Sequence, residues 1–199
     1  MKVKIKKLGK TESFSLINSW SDVTLESWLK LIDFETGTKT EEATQTIVEL
    51  SNIPKKLVNE LALSDVAVIM SKIGELQSKQ DTKLKRIIEI NGVEYGFMPD
   101  LDSISLGQYA DIETFIKNGV DKNLPELMAV LYAPIKLKKN DIYIIDAYDG
   151  DIRLRAEEMK LMSAEQVQSA LVFFYTLGKA LSEITQSFLM EKLKVMKTQ

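Results

Sequence analysis

The chain of 199 residues contains no cysteine and no histidine. Without cysteine there is no disulfide, no thiolate nucleophile and no cysteine-held zinc or iron–sulfur centre. Without histidine there is no histidine-dependent triad, no histidine haem ligand and no imidazole pH switch. Zero cysteine does not fix a compartment, but nothing in the sequence requires an oxidising one. Proline is scarce, at four residues, and no Pro- or Gly-rich linker divides the chain. Long apolar runs are missing as well. Stretches such as residues 170–175 fall far short of the ~20 residues that a membrane-spanning helix needs. The start, Met1-Lys-Val-Lys-Ile-Lys-Lys-Leu-Gly-Lys10, carries charge with no apolar segment behind it, so it does not read as a signal peptide. Nor is there an excess of one charge: 26 Lys+Arg stand against 29 Asp+Glu, a formal net charge of −3. That balance argues against bulk nucleic-acid binding, which concentrates Lys and Arg on one face. The basic clusters at residues 2–10, 83–86, 136–139 and 192–197 are short and read as solvated surface.

What is present is the profile of a globular protein, with 45% hydrophobic and 28% charged residues. A chain of this size buries about 70% of its unfolded surface, enough for a core without staples. Val3 and Ile5 alternate with Lys2, Lys4 and Lys6, the period of a half-buried strand whose lysines blunt an edge. Thr24 is the expected N-cap of a first helix, in which Leu25, Trp28, Leu29 and Ile32 share a face, and Gly37 breaks it. Helices are expected at residues 41–50, at 55–61 behind Pro54, and after a Ser64 cap, with Val66, Ile69, Met70, Ile73 and Leu76 on one side. Ile88-Glu-Ile90-Asn91-Gly92-Val93-Glu-Tyr95 is a two-residue β-hairpin signal, because Asn-Gly supplies the two positive φ angles of a type I′ turn. Ser105-Leu-Gly-Gln108 is a capping box opening a helix to Ile116, stopped by Gly119. A helix over residues 127–132 is expected to end at Pro134, followed by β-like residues 140–151 with Asp149-Gly150 as a second hairpin turn. Residues 152–162 either extend this strand or begin a helix, with a helix from Leu154 favoured, and Ser163-Ala-Glu-Gln166 is a further capping box opening a long C-terminal helix. The fold class is therefore α+β: a mainly helical single domain with one or two β-hairpins, a core over residues 1–162 and a long helix over 163–199 that packs on it or projects from it.

Chemistry-bearing motifs are few. Asp146, Asp149 and Asp151 around Gly150 fail the spacing of a calcium loop and read as an acidic turn. Asp100 and Asp102 have no second carboxylate pair beside them, and Asp102 reads as a turn residue ahead of Ser105. No phosphate-binding GxxxxGK[ST], no GxGxxG and no GxSxG occurs. Tyr95-Gly-Phe97 lacks the basic neighbours of a base-stacking platform, and packing is favoured. Val172-Phe173-Phe174-Tyr175 places apolar groups all round a helix, so the run belongs to the core or to a partner. Residues 23–32 and 104–113 share a pattern of β-branched residue, hydroxyl cap, Leu and aromatic, which two stapled helix starts explain better than a duplication. No catalytic, metal or cofactor-binding residue is assigned.

Four segments carry a resemblance: Trp20-Ser-Asp-Val-Thr-Leu, Tyr95-Gly-Phe-Met-Pro-Asp-Leu, Ile104-Ser-Leu-Gly-Gln-Tyr-Ala-Asp-Ile-Glu and Leu127-Met-Ala-Val-Leu-Tyr-Ala-Pro-Ile. In this order they resemble a set of small tailed-bacteriophage virion and tail-assembly proteins, of the type found among phages of Bacteroidetes and marine bacteria. The likeness spans residues 20–150, and Leu-Tyr-x-Pro-Ile is its most specific block. Ala133 stands where Arg is commoner, which removes a charged contact, and the segment after Met162 is not covered. The resemblance implies a non-enzymatic structural protein of the tail or head–tail junction, without cofactor, made in the host cytoplasm and then carried in the virion. Its implied partners are other phage structural proteins in a homo-oligomeric ring, with no membrane and no specific nucleic acid. A tail-assembly chaperone absent from the mature particle is the alternative. Tyr109 and Tyr132, within these motifs, and Phe173 and Phe174 are the candidate partner-contact residues.

Overall fold

The computed structural model describes residues 1–7, 10–33, 37–77, 83–98, 104–173 and 175. The lysine–aliphatic alternation at the N-terminus forms strand β1 (Lys2–Lys7). It pairs antiparallel with β2 (Lys10–Ser15), which sets Val3 opposite Phe14 and Ile5 opposite Glu12. The second strand lies in a stretch that reads only as polar, because Phe14 is its one large apolar residue. Helix α1 (Leu25–Asp33) starts where expected: the Thr24 hydroxyl accepts from the Ser27 N–H at 3.2 Å, satisfying an orphan donor of the first turn. Helix α2 (Lys39–Glu49) carries a capping box between Thr38 and Glu41. Helix α3 (Lys55–Val58) is shorter than the expected 55–61. Helix α4 (Leu63–Gln77) begins before Ser64, which therefore is not its cap. The Ala62 carbonyl instead accepts from Asp65 and Val66 at 2.9 and 3.1 Å.

The main sheet has strand order β3-β4-β5-β6, all antiparallel: β3 (Ile87–Ile90), β4 (Val93–Phe97), β5 (Tyr132–Lys139) and β6 (Ile142–Ile145). The Asn-Gly hairpin forms in the expected register, with Ile90 opposite Val93, Ile88 opposite Tyr95 and Glu89 opposite Glu94. Asn91 and Gly92 take φ of 52° and 78°, the pair of positive angles that a type I′ turn demands. Between β4 and β5 the chain makes α5 (Leu106–Lys117), capped by Ser105 and Gln108 as its sequence announces. Gly119 then reverses the chain at φ 100°, and α6 (Leu124–Leu131) follows. Two expectations fail here. The helix starts and stops earlier than 127–132, and Pro134 sits inside β5 rather than ending a helix. Tyr132 leaves the helix in an extended conformation, and the proline, which has no N–H for a ladder, is followed by a bulge between Ile135 and Leu137.

The second hairpin turns at Asn140, whose φ is 55°, and not at Asp149-Gly150. Gly150, at φ 83°, instead bends the chain into α7 (Arg153–Met159), with the Asp149 carboxylate accepting from the Asp151 N–H at 3.1 Å. The Ser163 capping box forms and opens α8, residues 164–173. Ala164, Val167 and Ala170 are fully buried, so the described part of this helix is packed into the protein. Its expected continuation to Lys194 lies outside the described residues.

Two apolar clusters result. One joins the inner face of the main sheet to α5, α6, α7 and α8, with Phe97, Leu127, Met128, Tyr132 and Met159 at its centre. The other gathers Ile5, Leu16, Trp20, Ile47, Leu50 and Ile69 from the N-terminal hairpin and α1 to α4. They meet at the N-termini of α1 and α8. Thr24 and Ser163 form an antiparallel bridge, in which the Leu25 N–H donates to Met162 and the Ala164 N–H to Val23, at 2.8 and 2.7 Å. Trp28 packs against both clusters. Each cap residue thus serves its own helix and the junction at once.

Candidate interaction surfaces

The β5–β6 hairpin runs past the helices that cover the rest of the inner sheet face. Leu137 pairs with Ile144 and Lys139 with Ile142, so these four residues stand on one face of two strands. The three aliphatic side chains are 67%, 58% and 78% exposed for Leu137, Ile144 and Ile142. No strand pairs with the outer edge of β6 among the described residues. The opposite face is held firmly. The Tyr143 hydroxyl donates to the Phe97 carbonyl at 2.6 Å and contacts the Arg86 carbonyl at 3.2 Å, while its ring lies over Gly96. Burial pushes the Tyr143 phenol above its ordinary pKa. Lys136 pairs with Asp146 at 2.6 Å, and Lys138 pairs with Glu94. Lys139 makes no ion pair with any described residue.

A second apolar surface lies on α5. Leu106 and Tyr109 are 84% and 54% exposed, and Ile116 is exposed on the same side, two turns on from Tyr109. Glu113 falls within this stripe and pairs with Lys117 at 2.9 Å. The buried side of α5 carries Ile112, and Asp111 there accepts the Tyr148 hydroxyl. Between the N-terminal hairpin and α3 runs an open groove of about 350 Å³, floored by Ile5, Phe14, Pro54 and Leu57 and rimmed by Glu12, Lys56 and Glu60.

The four sequence-derived contact residues do not converge on one site. Tyr109 is on the α5 surface. Tyr132 is a correction: it is fully buried, its hydroxyl donates to the Lys85 carbonyl at 2.8 Å, and its ring meets Phe97 edge-on at 5.1 Å. The change from α6 to β5 at this residue turns its side chain inward, and burial raises its pKa strongly. Phe173 is half-buried and packs edge-on against Phe97 at 5.3 Å, a core position, whereas Val172 and Tyr175 are exposed. Phe174 lies outside the described residues, as do Asp100 and Asp102. Tyr95 and Phe97 are core residues, as the sequence favoured. Asp146 is taken up by Lys136, and Asp151 by Arg153, whose guanidinium lowers the Asp151 pKa. No group of three or more acidic side chains that could hold a cation occurs among the described residues.

The exposed set Leu137, Ile142, Ile144 and Leu106 was missed at the sequence level. Lys136, Lys138 and Lys139 around Leu137 were the available signal that the hairpin leaves the core. Compared with known proteins, the chain matches no family model, no curated protein and no solved structure. No helix among the described residues is long and apolar enough to cross a membrane.

Proposed function

We propose that this chain is a non-enzymatic assembly protein, a subunit of a bacteriophage tail or head–tail junction that works by self- and hetero-association. The observation that carries this reading is the hairpin face of Leu137, Ile142 and Ile144, three large aliphatics held out to water on a rigid sheet. Contiguous exposed apolar groups rimmed by charge mark interaction sites far more than they mark solvent surface. The motif resemblance to tailed-phage proteins, with its Leu131-Tyr132-Ala133-Pro134-Ile135 block, supplies the context. That block builds the α6–β5 junction which carries the hairpin. The test is to purify the encoding phage's particles through a density gradient and quantify this chain against the portal and major capsid proteins. A fixed copy number that stays with intact particles is the expected result. Absence from particles, with abundance in infected lysate, overturns it.

That second outcome belongs to the rival reading, a tail-assembly chaperone. The groove of Ile5, Phe14, Pro54 and Leu57 favours it, since an apolar floor with a charged rim suits an extended segment of another chain.

A further inference from the structure

We infer that the open edge of β1 takes up a third strand from another chain, an extended segment in which acidic and apolar residues alternate. This rests on the assembly reading above and names the chemistry of one partner. Three features of the N-terminal hairpin support it, and the first is the edge itself. Met1 and Leu16 exchange backbone hydrogen bonds: the Leu16 N–H donates to the Met1 carbonyl at 2.7 Å, and the Met1 ammonium donates to the Leu16 carbonyl. Hydrogen-bonded pairs alternate along an antiparallel ladder. The peptide groups of Val3 and Ile5 therefore face β2, while those of Lys2, Lys4 and Lys6 face away from it. The corresponding edge of β2 is closed at Ser15, whose carbonyl accepts from the Asn52 N–H at 3.0 Å and whose N–H donates to the Asn52 side chain at 2.6 Å. No described segment closes the edge of β1.

The second feature is charge. Lys2 and Lys4 stand on one face of the hairpin, opposite Ser15 and Ser13, and both are exposed. Neither makes an ion pair with any described residue. Glu12, the acid of β2, lies on the other face with Ile5. A neutral or basic strand paired there would crowd ammonium groups that have no counter-charge, which is how edge lysines repel unwanted strands. An acidic strand supplies the counter-charge, with its carboxylate residues opposite the lysines at about 5 Å between Cβ atoms. The third feature is the opposite face. Val3 packs on the N-terminal apolar cluster, and Ile5 and Phe14 floor the open groove with Pro54 and Leu57. In a strand laid along β1, every second side chain projects to this face, beside Val3 and Ile5. Aliphatic groups at those positions continue the apolar floor, so the partner repeats the alternation of β1 with the charge reversed.

The test uses the full chain and a labelled, end-capped peptide, Glu-Val-Glu-Ile-Glu-Val-Glu, followed by fluorescence anisotropy and by amide hydrogen exchange in NMR. The peptide should bind and slow exchange at the Lys4 and Lys6 amides by about tenfold or more, while Val3 and Ile5, already bonded to β2, change little. Methylating the backbone nitrogens of one alternate set of peptide residues should abolish binding, and methylating the other set should spare it, because only one edge of the added strand meets β1. The double variant Lys2→Glu with Lys4→Glu should bind the peptide about tenfold more weakly and take up Lys-Val-Lys-Ile-Lys-Val-Lys instead. A chain that ignores the acidic peptide at millimolar concentration overturns the proposal, and the edge lysines then serve only to keep strands away. Equal binding of the same residues arranged as an acidic block and an aliphatic block also overturns it, as does protection that arises on β6 rather than β1. These measurements are made on the isolated chain and leave the particle count untouched, so failure of the strand addition and failure of the assembly reading are told apart.

Discussion

Replacing Gly96 by alanine should cost more than any other single-methyl addition in the sheet. A Cβ built there falls 2.6 Å from Tyr143 Cδ2 and 2.8 Å from Ile145 Cγ2, where ordinary contact starts at 3.4 Å. Tyr143 Cε2 lies closer still, so the ring must retreat by about 1 Å. It is not free to do so, because its hydroxyl is pinned on the Phe97 carbonyl at 2.6 Å and sits near the Arg86 carbonyl at 3.2 Å. The hydroxyl has one proton to donate, and the retreat stretches its bond to Phe97 to the limit of a hydrogen bond, a loss of about 1 kcal/mol. Overpacking adds ~1–3 kcal/mol, and the preference of a strand for alanine over glycine returns about 0.5–1 kcal/mol. The net expectation is a loss of about 2 kcal/mol, read by urea unfolding followed by circular dichroism, with a fall in Tm of roughly 4–8 °C. In a Tyr143→Ala background the same substitution should lose most of its effect, since the ring is the main obstacle. A loss below about 1 kcal/mol in the wild-type background, or an equal loss in both, refutes the reasoning.

Two further outcomes follow from the described contacts. Ser163→Ala removes the acceptor for the Gln166 N–H at 3.2 Å, at a helix start that also bridges Thr24, and should cost about 1 kcal/mol or ~2–4 °C in Tm. An unchanged Tm in a thermal melt would show that the cap contributes nothing. At alkaline pH the buried tyrosines decide stability: burial raises the pKa of Tyr95, Tyr132, Tyr143 and Tyr148, and the carboxylate of Asp111 adds to the rise at Tyr148. A folded-state pKa raised above the unfolded value gives stability that is fully present below about pH 10 and is lost as pH climbs further. Melting temperature should therefore hold up to about pH 10 and then fall, with tyrosinate absorbance lagging behind that of the denatured chain. Coincident titration of folded and denatured protein would refute the assignment.

Local signals were written plainly in the sequence wherever a residue type satisfies a backbone demand within a few positions. Asn91-Gly92 gave the hairpin and its register, and Thr24, Ser105-Gln108 and Ser163-Gln166 gave three helix starts. Such features need only a positive φ or an orphan N–H, and both are settled by neighbours in the chain. The exclusion of cysteine and histidine chemistry also needed nothing but composition.

Other positions were decided only in three dimensions. Pro134 looked like a helix stop, yet it lies in β5, because Tyr132 there buries its ring against Phe97 and carries the chain into the sheet beside β4. Asp149-Gly150 has the composition of a hairpin turn, but the turn fell at Asn140, since β6 pairs with the part of β5 past the bulge. The same distinction governs the interaction surfaces. Tyr132 and Leu137 stand five residues apart in one strand, and one is fully buried while the other is mostly exposed. Nothing in residue type separates them. What separates them is where the covering helices end, a long-range fact that a sequence period cannot contain.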